Sequence, residues 1–346
     1  MVRAVLALAL LACSASSWSQ AFPSKPVKIV VPYGVGGSAD VYARYLGAKL
    51  QDSVGQSFVI ENRPGGGSIV GTDVVAKSEP DGYTLLMMSN THTVNETLIP
   101  KKPFELMRDF APITGVSYSD LMMVIHPSVQ ASNLKEFIAL AKSKPGALNY
   151  ASSGNGTPYH MAGELFKFMA GVDLEHVPYK GSDGARTGII GGQVQMMFDA
   201  ITTMAPHVQA GKLRALATSG KARSGVLPGT PTVSEAGVAG YEAVIWLGLM
   251  APAGTPKAIV DRLNAEITRA TAAPEMREAW ARQGETAMSM TPEEFARFMR
   301  EDIEKWARIV KLSGAPRILF TSELRRSRIG RGVPAGAIRP SQMPDS

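Results

Sequence analysis

Short β-rich runs alternate with amphipathic helical segments through most of this chain, and this alternation constrains its fold more than any other feature. Helical segments show apolar residues at helical spacing, whereas the β-rich runs are short and bounded by turn residues. The alternation predicts the α/β class. The predicted strands cover residues 28–32, 57–61, 83–88, 121–125, 148–151, 175–179, 194–198, 213–218 and 243–250. The predicted helices cover residues 39–51, 68–77, 133–143, 158–170, 182–190, 202–210, 256–271, 275–283 and 292–311.

The order of these elements predicts two lobes. Residues 22–120 form one α/β unit, and residues 121–220 form another. Residues 221–314 then supply a β-run and three helices that return to the first lobe. Two lobes joined by more than one crossing segment enclose a hinged cleft, so we expect a ligand to bind between them.

The charge distribution argues against a nucleic-acid partner. The 346-residue chain has a formal net charge of +6 and is long enough for two domains. Residues 315–346 contribute +4 of that charge and Arg3 contributes one more, so the body of the chain holds about +1. The same final segment is rich in arginine, glycine and proline and lacks periodicity, which predicts a disordered basic tail.

The first 21 residues have the pattern of a secretory signal peptide. Arg3 precedes an apolar run over residues 4–12, and Ser19-Gln20-Ala21 fits a cleavage site just before Phe22. We therefore expect a periplasmic protein. An alternative is a lipoprotein tethered through Cys13, the only cysteine. Cleavage after Ala21 would leave no cysteine, which excludes disulfides and thiol catalysis from the mature chain.

A glycine-rich turn at residues 34–40 follows a β-branched run and Pro32-Tyr33, and it opens an amphipathic helix. Glycines let backbone N–H groups approach a bound group closely, and a helix N-terminus favours a negative one. The sequence thus predicts an anion-binding turn. Its candidate ligand-binding residues are Tyr33, Gly36, Gly37, Ser38 and Asp40.

The same turn also fits a dinucleotide fingerprint, Gly34-x-Gly36-x-x-Ala39, with Glu61 about where a ribose-binding acid belongs. The alternative function is therefore a dinucleotide-dependent oxidoreductase. The export signal argues against it, because nicotinamide cofactors are not supplied outside the cytoplasmic membrane. A turn that serves only packing is the third interpretation.

Residues 150–160 repeat this plan of strand, glycine-rich polar turn and helix N-terminus. Two such turns, one in each lobe, can face each other across a cleft and hold an anion. From this turn Ser152, Gly154 and Thr157 are candidate ligand-binding residues.

Polar residues at two further strand ends are candidates as well, since open α/β sheets bind ligands at the carboxyl ends of their strands. Ser89 and Thr91 follow one apolar run, where a plain loop is the alternative. Asp199 follows another apolar run, at residues 194–198. There it either accepts a hydrogen bond from an ammonium or hydroxyl group of the ligand, or it caps the next helix.

Enzymatic chemistry has little support in the sequence. Ser152 or Ser153 with His160 and Asp199 would supply the residue types of a hydrolytic triad, but no Gly-x-Ser-x-Gly elbow is present. The five histidines lack metal-ligand spacing. We therefore expect neither an enzyme nor a cofactor nor a metal site.

The motifs together resemble the tripartite tricarboxylate transporter receptors, also called Bug proteins. The resemblance covers roughly residues 22–314, with motifs in order at the family's spacing. It rests on residues 22–27, 31–40, 59–67, 80–85, 149–157, 176–181, 213–217 and 249–256. The sequence departs from the family's pattern at Gly34, where another residue such as proline is usual, and after Gly314.

The resemblance implies a two-lobed periplasmic binding protein, type II-like, with an interlobe ligand cleft. In the family, one lobe holds a ligand carboxylate through the glycine turn and ordered waters, and the other lobe supplies backbone and side-chain donors. Carried over, Tyr33, Gly36, Gly37 and Asp40 belong to the first set, and Ser152, Gly154, Thr157 and Asp199 to the second. The resemblance also implies delivery of the acid to membrane permease subunits, or to a sensor. We expect a monomer.

Overall fold

The computed structural model describes residues 22–313, so the predicted leader and basic tail lie outside the described residues. The strands are β1 (Val27–Val31), β2 (Phe58–Asn62), β3 (Thr84–Ser89), β4 (Phe110–Ile125), β5 (Asn149–Ser152), β6 (Glu175–Pro178), β7 (Met196–Ala200), β8 (Arg214–Thr218), β9 (Val244–Pro252) and β10 (Glu285–Ala287). The helices are α1 (Ser38–Val54), α2 (Ile69–Ala76), α3 (Asn90–Leu98), α4 (Leu106–Asp109), α5 (Leu134–Ser143), α6 (Pro158–Ala170), α7 (Ser182–Ile190), α8 (Ile201–Gln209), α9 (Lys257–Ala272), α10 (Pro274–Ala281) and α11 (Pro292–Ser313).

The long strand β4 connects two groups of strands. Over residues 110–120 it pairs antiparallel with β9, and β10 lies along its other edge. Over residues 121–125 it pairs antiparallel with β7 and β8 instead. The strand order is β2-β1-β3-β9-β4-β7-β5-β6, with β8 and β10 also beside β4. A single strand therefore runs from one half of the molecule into the other.

Each half contains a parallel unit that fixes where its loops emerge. In the first half β1 lies between β2 and β3 and runs parallel to both, with Val27 opposite Phe58 and Lys28 opposite Thr84. In the second half β5 runs parallel to β6 and β7. The carboxyl ends of these strands carry the glycine-rich turns, which places each turn at one edge of its sheet.

Helix α1 shows how the apolar pattern builds the first core. Tyr42, Ala43, Leu46 and Leu50 are buried at helical spacing and pack with the strands of the first half. The helix ends at Gly55, whose φ of 74° is the left-handed conformation that glycine adopts readily.

The second half has its own core, which includes Phe137, Tyr150, Phe166 and Phe198. Val233, Val238, Tyr241 and Ala243, between β8 and β9, pack into this same core with Ile245 of β9. The lobe boundaries given above remain a prediction.

Most predicted elements are confirmed, several of them within two residues at both ends. The predicted helix 158–170 is α6, which starts with Thr157 as N-cap and Pro158 at its first position. The predicted capping box before α11 also forms, because Glu294 N–H donates to the Thr291 hydroxyl and Thr291 N–H donates to the Glu294 carboxylate.

Helix α3 is the longest element that the sequence pattern missed in full. Its buried residues include Asn90, Thr91, His92, Thr93 and Asn95, so its inner face is polar and apolar periodicity gives no signal. The first eleven residues of β4, the short helix α4 and the three-residue strand β10 were also missed. Among the described residues, no helix is both long and apolar enough to cross a membrane.

Candidate functional site

The first glycine turn is organised by Asp40. The Gly36 N–H donates to Asp40 Oδ2 at 2.9 Å, and Arg44 pairs with Asp40 Oδ1 at 2.8 Å. Burial alone would raise the pKa of Asp40, but the hydrogen bonds from Arg44 and Gly36 outweigh it and lower the pKa below its usual value. Asp40 is therefore ionised, and its charge holds the turn in shape.

Gly37 and Ser38 form the start of α1. Gly37 is the N-cap in ordinary extended backbone (φ −74°), and no side chain accepts a hydrogen bond from the first turn of the helix. A Cβ at Gly37 would meet only the Gly34 carbonyl, at 3.6 Å. Gly36 differs, because its φ of 78° is left-handed. The turn thus presents a helix N-terminus without a side-chain cap.

Tyr33, Ser89 and Thr91 form one polar cluster in the first half. The Tyr33 hydroxyl lies 2.6 Å from Ser89 Oγ and 3.2 Å from His92 Nδ1. Ser89 caps α3 by accepting from the Thr91 N–H. Burial raises the pKa of Tyr33 to about 12, so its hydroxyl keeps its proton at neutral pH. His92 also contacts Thr72 at 2.9 Å, which fixes the base of the cluster.

The second glycine turn is held by its own hydroxyl groups. Ser152 is fully buried, and its Oγ accepts from the Gly154 N–H at 3.1 Å and lies 2.7 Å from His176 Nε2. The Thr157 hydroxyl donates to the Gly154 carbonyl at 2.7 Å and caps α6. Both hydroxyls are therefore engaged inside the turn, and a ligand role for Ser152 and Thr157 stays a prediction.

Asp199 at the end of β7 is fully buried and paired with Arg186. The Arg186 Nε–Oδ2 distance is 2.7 Å, and a second guanidinium nitrogen lies 3.3 Å from Oδ1. The Ala200 N–H also donates to Oδ1, at 2.7 Å. Hydrogen bonds to Asp199 outweigh burial and hold the pKa of Arg186 above its usual value. The Arg186 guanidinium thus faces Asp199 and also lies 3.2 Å from Asp183 Oδ1.

Tyr159 connects this pair to the first half. Its hydroxyl, at the start of α6, faces both Asp199 and Ser38. Burial raises the pKa of Tyr159, so the hydroxyl stays protonated and can donate to the carboxylate. The N-terminal turns of α1 and α6 thus meet across the two halves.

The second turn also packs against the first half. The Cβ position of Gly156 lies 2.9 Å from Leu98 Cδ2 and 3.0 Å from Asn95 Oδ1. Asn95 in turn donates through Nδ2 to the Gly67 carbonyl at 2.7 Å. Asn95 Oδ1 and Ser68 Oγ are buried polar atoms that have no hydrogen-bond partner among the described residues. The second turn therefore packs against α3 and, through Asn95, against the segment that precedes α2.

The structure thus arranges the predicted residues in three groups: Tyr33 with Ser89 and Thr91, Gly36 with Asp40, and Ser152 with Gly154 and Thr157. Ser38 and Asp199 lie on either side of Tyr159. Gly37 follows Gly36 directly.

Sequence reasoning missed Arg186, Tyr159, His176 and Asn95 as parts of this region. Tyr159 lies within the second turn segment, residues 150–160, and His176 begins the family-like segment 176–181. Arg186 and Asn95 had no sequence signal, because their partners come from distant parts of the chain. Within residues 22–313, no group of three or more His, Cys, Asp or Glu side chains is placed to hold a metal ion.

A family profile described as "Tripartite tricarboxylate transporter family receptor" matches residues 42–315. Protein BugT of Bordetella pertussis is 37% identical over 296 residues, which cover 85% of this chain and 91% of BugT.

Three solved structures are similar over most of the chain. The R. palustris protein Rpa4515 with adipate has a TM-score of 0.81 at 31% identity, covering 85% of this chain and 98% of its own. Periplasmic binding protein BugD has a TM-score of 0.79 at 31% identity, and the match covers 85% of this chain and 99% of BugD. MatC from Rhodopseudomonas palustris with bound malate has a TM-score of 0.78 at 31% identity, and the match covers 84% of this chain and 100% of MatC. The two-lobed binding-protein fold expected from the sequence is confirmed.

Proposed function

Because this chain belongs to the tripartite tricarboxylate transporter receptor family, we propose that it captures a small carboxylate between its lobes. The acid would be a di- or tricarboxylate, an acidic amino acid or an aromatic acid. The receptor would deliver it to the permease subunits of a tripartite tricarboxylate transporter, or to a sensor, without a catalytic step. We further propose that it works in the periplasm as a monomer after cleavage near Phe22.

The observation that carries the proposal is that the N-terminal turn of α1 lies beside the end of β7, because Tyr159 faces both Ser38 and Asp199. Helices α1 and α8 start there at Gly37 and Ala200, and neither of these residues provides a side-chain cap. Helix N-termini carry partial positive charge and N–H groups without intrahelical partners, so they favour an anion. A carboxylate with two oxygens can accept from several such groups.

The charged side chains at the cleft support binding through neutral donors. Arg44 is paired with Asp40, and Arg186 is paired with Asp199. Each pair leaves little free positive charge for a ligand. We therefore expect backbone N–H groups and hydroxyls to hold the acid, while Asp40 and Asp199 act by fixing the turn and the guanidinium beside it.

The first acids to test are those of the solved neighbours, adipate and malate. Isothermal titration calorimetry on ligand-stripped protein should detect micromolar or tighter binding of at least one acid in a panel of dicarboxylates, tricarboxylates, acidic amino acids and aromatic acids. No binding across the panel would reject the carboxylate proposal. A titration with NAD tests the oxidoreductase alternative through the turn Gly34-x-Gly36-x-x-Ala39.

The glycine turn itself is tested by Gly37→Val. The backbone at Gly37 accepts any L-residue and its Cβ position is uncrowded, so the fold should be retained. The added methyl groups would stand beside the first N–H groups of α1, so binding should fall by at least tenfold, about 1.4 kcal/mol. Gly229→Val is the matched control, because Gly229 is exposed and a Cβ there meets nothing within 4 Å. Equal affinity in both variants would mean that the turn is purely structural.

A further inference from the structure

Three aromatic rings form a stack behind the second glycine turn. The His160 and His176 rings are stacked with centroids 4.1 Å apart, and the His176 and Tyr150 rings with centroids 4.8 Å apart. Tyr150 and His160 are buried, whereas His176 is half-buried. The stack joins β5, α6 and β6, so it is fixed by three elements of the second half.

Each histidine in this stack contacts one group of the turn. His160 Nδ1 accepts from the Gly156 N–H at 3.0 Å. His176 Nε2 lies 2.7 Å from Ser152 Oγ, which itself accepts from the Gly154 N–H. Because His160 Nδ1 accepts, the proton of a neutral His160 ring must be on Nε2.

We propose that His160 and His176 are positioning residues that set the conformation of residues 152–157 and thereby the affinity of the cleft for its ligand. They act through Gly156 and Ser152 rather than by touching the ligand. The effect on affinity rests on the proposed function. The effect on the turn is independent of it and can be measured without a ligand.

Burial is the main reason that both rings are neutral, and the charged groups around the stack have smaller effects. Glu164 on α6 is paired with Lys167 at 3.1 Å and accepts from the Tyr150 hydroxyl at 2.6 Å. Burial, followed by the charge of Lys167, lowers the pKa of His160 to about 4. Burial, then His160, lowers the pKa of His176 to about 3, although Glu164 acts in the opposite direction.

Acid should therefore release the turn. Protonation converts His160 Nδ1 from an acceptor into a donor that faces the Gly156 N–H. The contact is present at neutral pH, where His160 is uncharged, and is lost as the pH falls through about 4.

Hydrogen exchange of the unliganded protein tests the contact directly. The comparison uses the wild type, His160→Ala and His160→Asn, because an asparagine oxygen can accept near the position of Nδ1 without titrating. At pH 7 the amides of residues 152–157 should exchange about tenfold faster in the alanine variant, as expected for the loss of one hydrogen bond, and near the wild-type rate in the asparagine variant. Unchanged exchange in His160→Ala would overturn the proposal.

Affinity for malate and adipate is the second readout. His160→Ala should weaken binding by about tenfold, and His160→Asn should restore most of it. Below about pH 4 the wild type should lose affinity relative to His160→Asn, and the ratio of the two cancels protonation of the acid itself. Circular dichroism at each pH confirms that both proteins are folded.

His176→Gln is the second variant, since its amide can reach Ser152 without a titrating ring.

Equal losses of affinity in the alanine and asparagine variants of His160 would show that the ring acts only by packing and would overturn the proposal. If neither malate nor adipate binds the wild type, the choice of ligand is at fault, and hydrogen exchange still decides the role of the histidines.

Discussion

Glu285 is a buried carboxyl group surrounded by hydroxyls rather than by a cation. It lies opposite Ser119 in the β10–β4 pairing, and its Oε1 has no hydrogen-bond partner among the described residues. Burial raises the pKa of Glu285 to about 7, although Ser117, Ser119 and Tyr42 lower it, and the nearby Asp120 raises it further. The unfolded chain should have the usual glutamate pKa of 4.5.

The sign of the stability effect follows from this difference. Above pH 7 the folded state must carry a buried negative charge, whereas below pH 4.5 the group is neutral in both states. Glu285 therefore costs the folded state roughly 2 to 3 kcal/mol more at pH 8 than at pH 5. Glu285→Gln removes the charge and keeps the shape. Its stability relative to the wild type should increase by that amount between pH 5 and pH 8.

Urea unfolding of the wild type and Glu285→Gln at the two pH values measures this quantity. The buried histidines also make stability depend on pH, because their lowered pKa values mean that acid destabilises the folded state. This contribution is the same in variant and wild type, so it cancels when the two are compared at one pH. Glu304→Gln, at an exposed position of α11, is the control for a Glu-to-Gln change outside the core. A Glu285→Gln effect that does not change with pH, or that shrinks towards pH 8, would refute the reasoning.

Two further substitutions test the packing of the cleft by urea unfolding. Gly156→Ala should lower the free energy of unfolding by about 1 to 3 kcal/mol, because φ is +75° and the new Cβ would lie 2.9 Å from Leu98 Cδ2. Adding Leu98→Ala should remove part of this loss. An unchanged loss in the double variant would exclude the clash as its cause. Arg186→Met should cost about 3 to 5 kcal/mol, because Asp199 would be left as an unpaired buried charge. Adding Asp199→Asn should recover part of that loss, and no recovery would argue against the ion pair as its cause.

The sequence predicted the elements well wherever local signals agreed. Helix α6 matches its predicted range of 158–170, because an N-cap, a proline at the first position and apolar periodicity all point to one start. Helix α3 was missed for the opposite reason. Its buried face is made of asparagine, threonine and histidine, whose burial depends on hydrogen bonds to other segments, such as that from Asn95 to the Gly67 carbonyl.

For the candidate site, the sequence predicted positions better than side-chain directions. The residues were chosen at strand ends, and Tyr159 beside the second turn does face Ser38 beside the first. The sequence could not show that Ser152 contacts His176, or that Asp199 pairs with Arg186. Such partners lie 24 and 13 positions apart, beyond any helical or strand periodicity, so only tertiary packing determines which oxygen remains free.

Under the proposed function, charge pairing at the first turn and at the end of β7 would let the receptor hold an anion and still release it. An unpaired arginine in the cleft would bind any anion strongly and would be costly to bury in the closed state without one. Asp40 pairs with Arg44 beside the first turn, and Asp199 pairs with Arg186 at the end of β7, so neither arginine is unpaired. Under the proposed function, affinity would then depend on the direction of the backbone N–H groups, which opening of the lobes would separate. Selectivity among acids should accordingly follow the spacing between carboxylates more than their total charge. We expect malate and adipate, which carry the same charge but differ in length, to bind with different affinities, and calorimetry at a pH where both are dianions measures the difference.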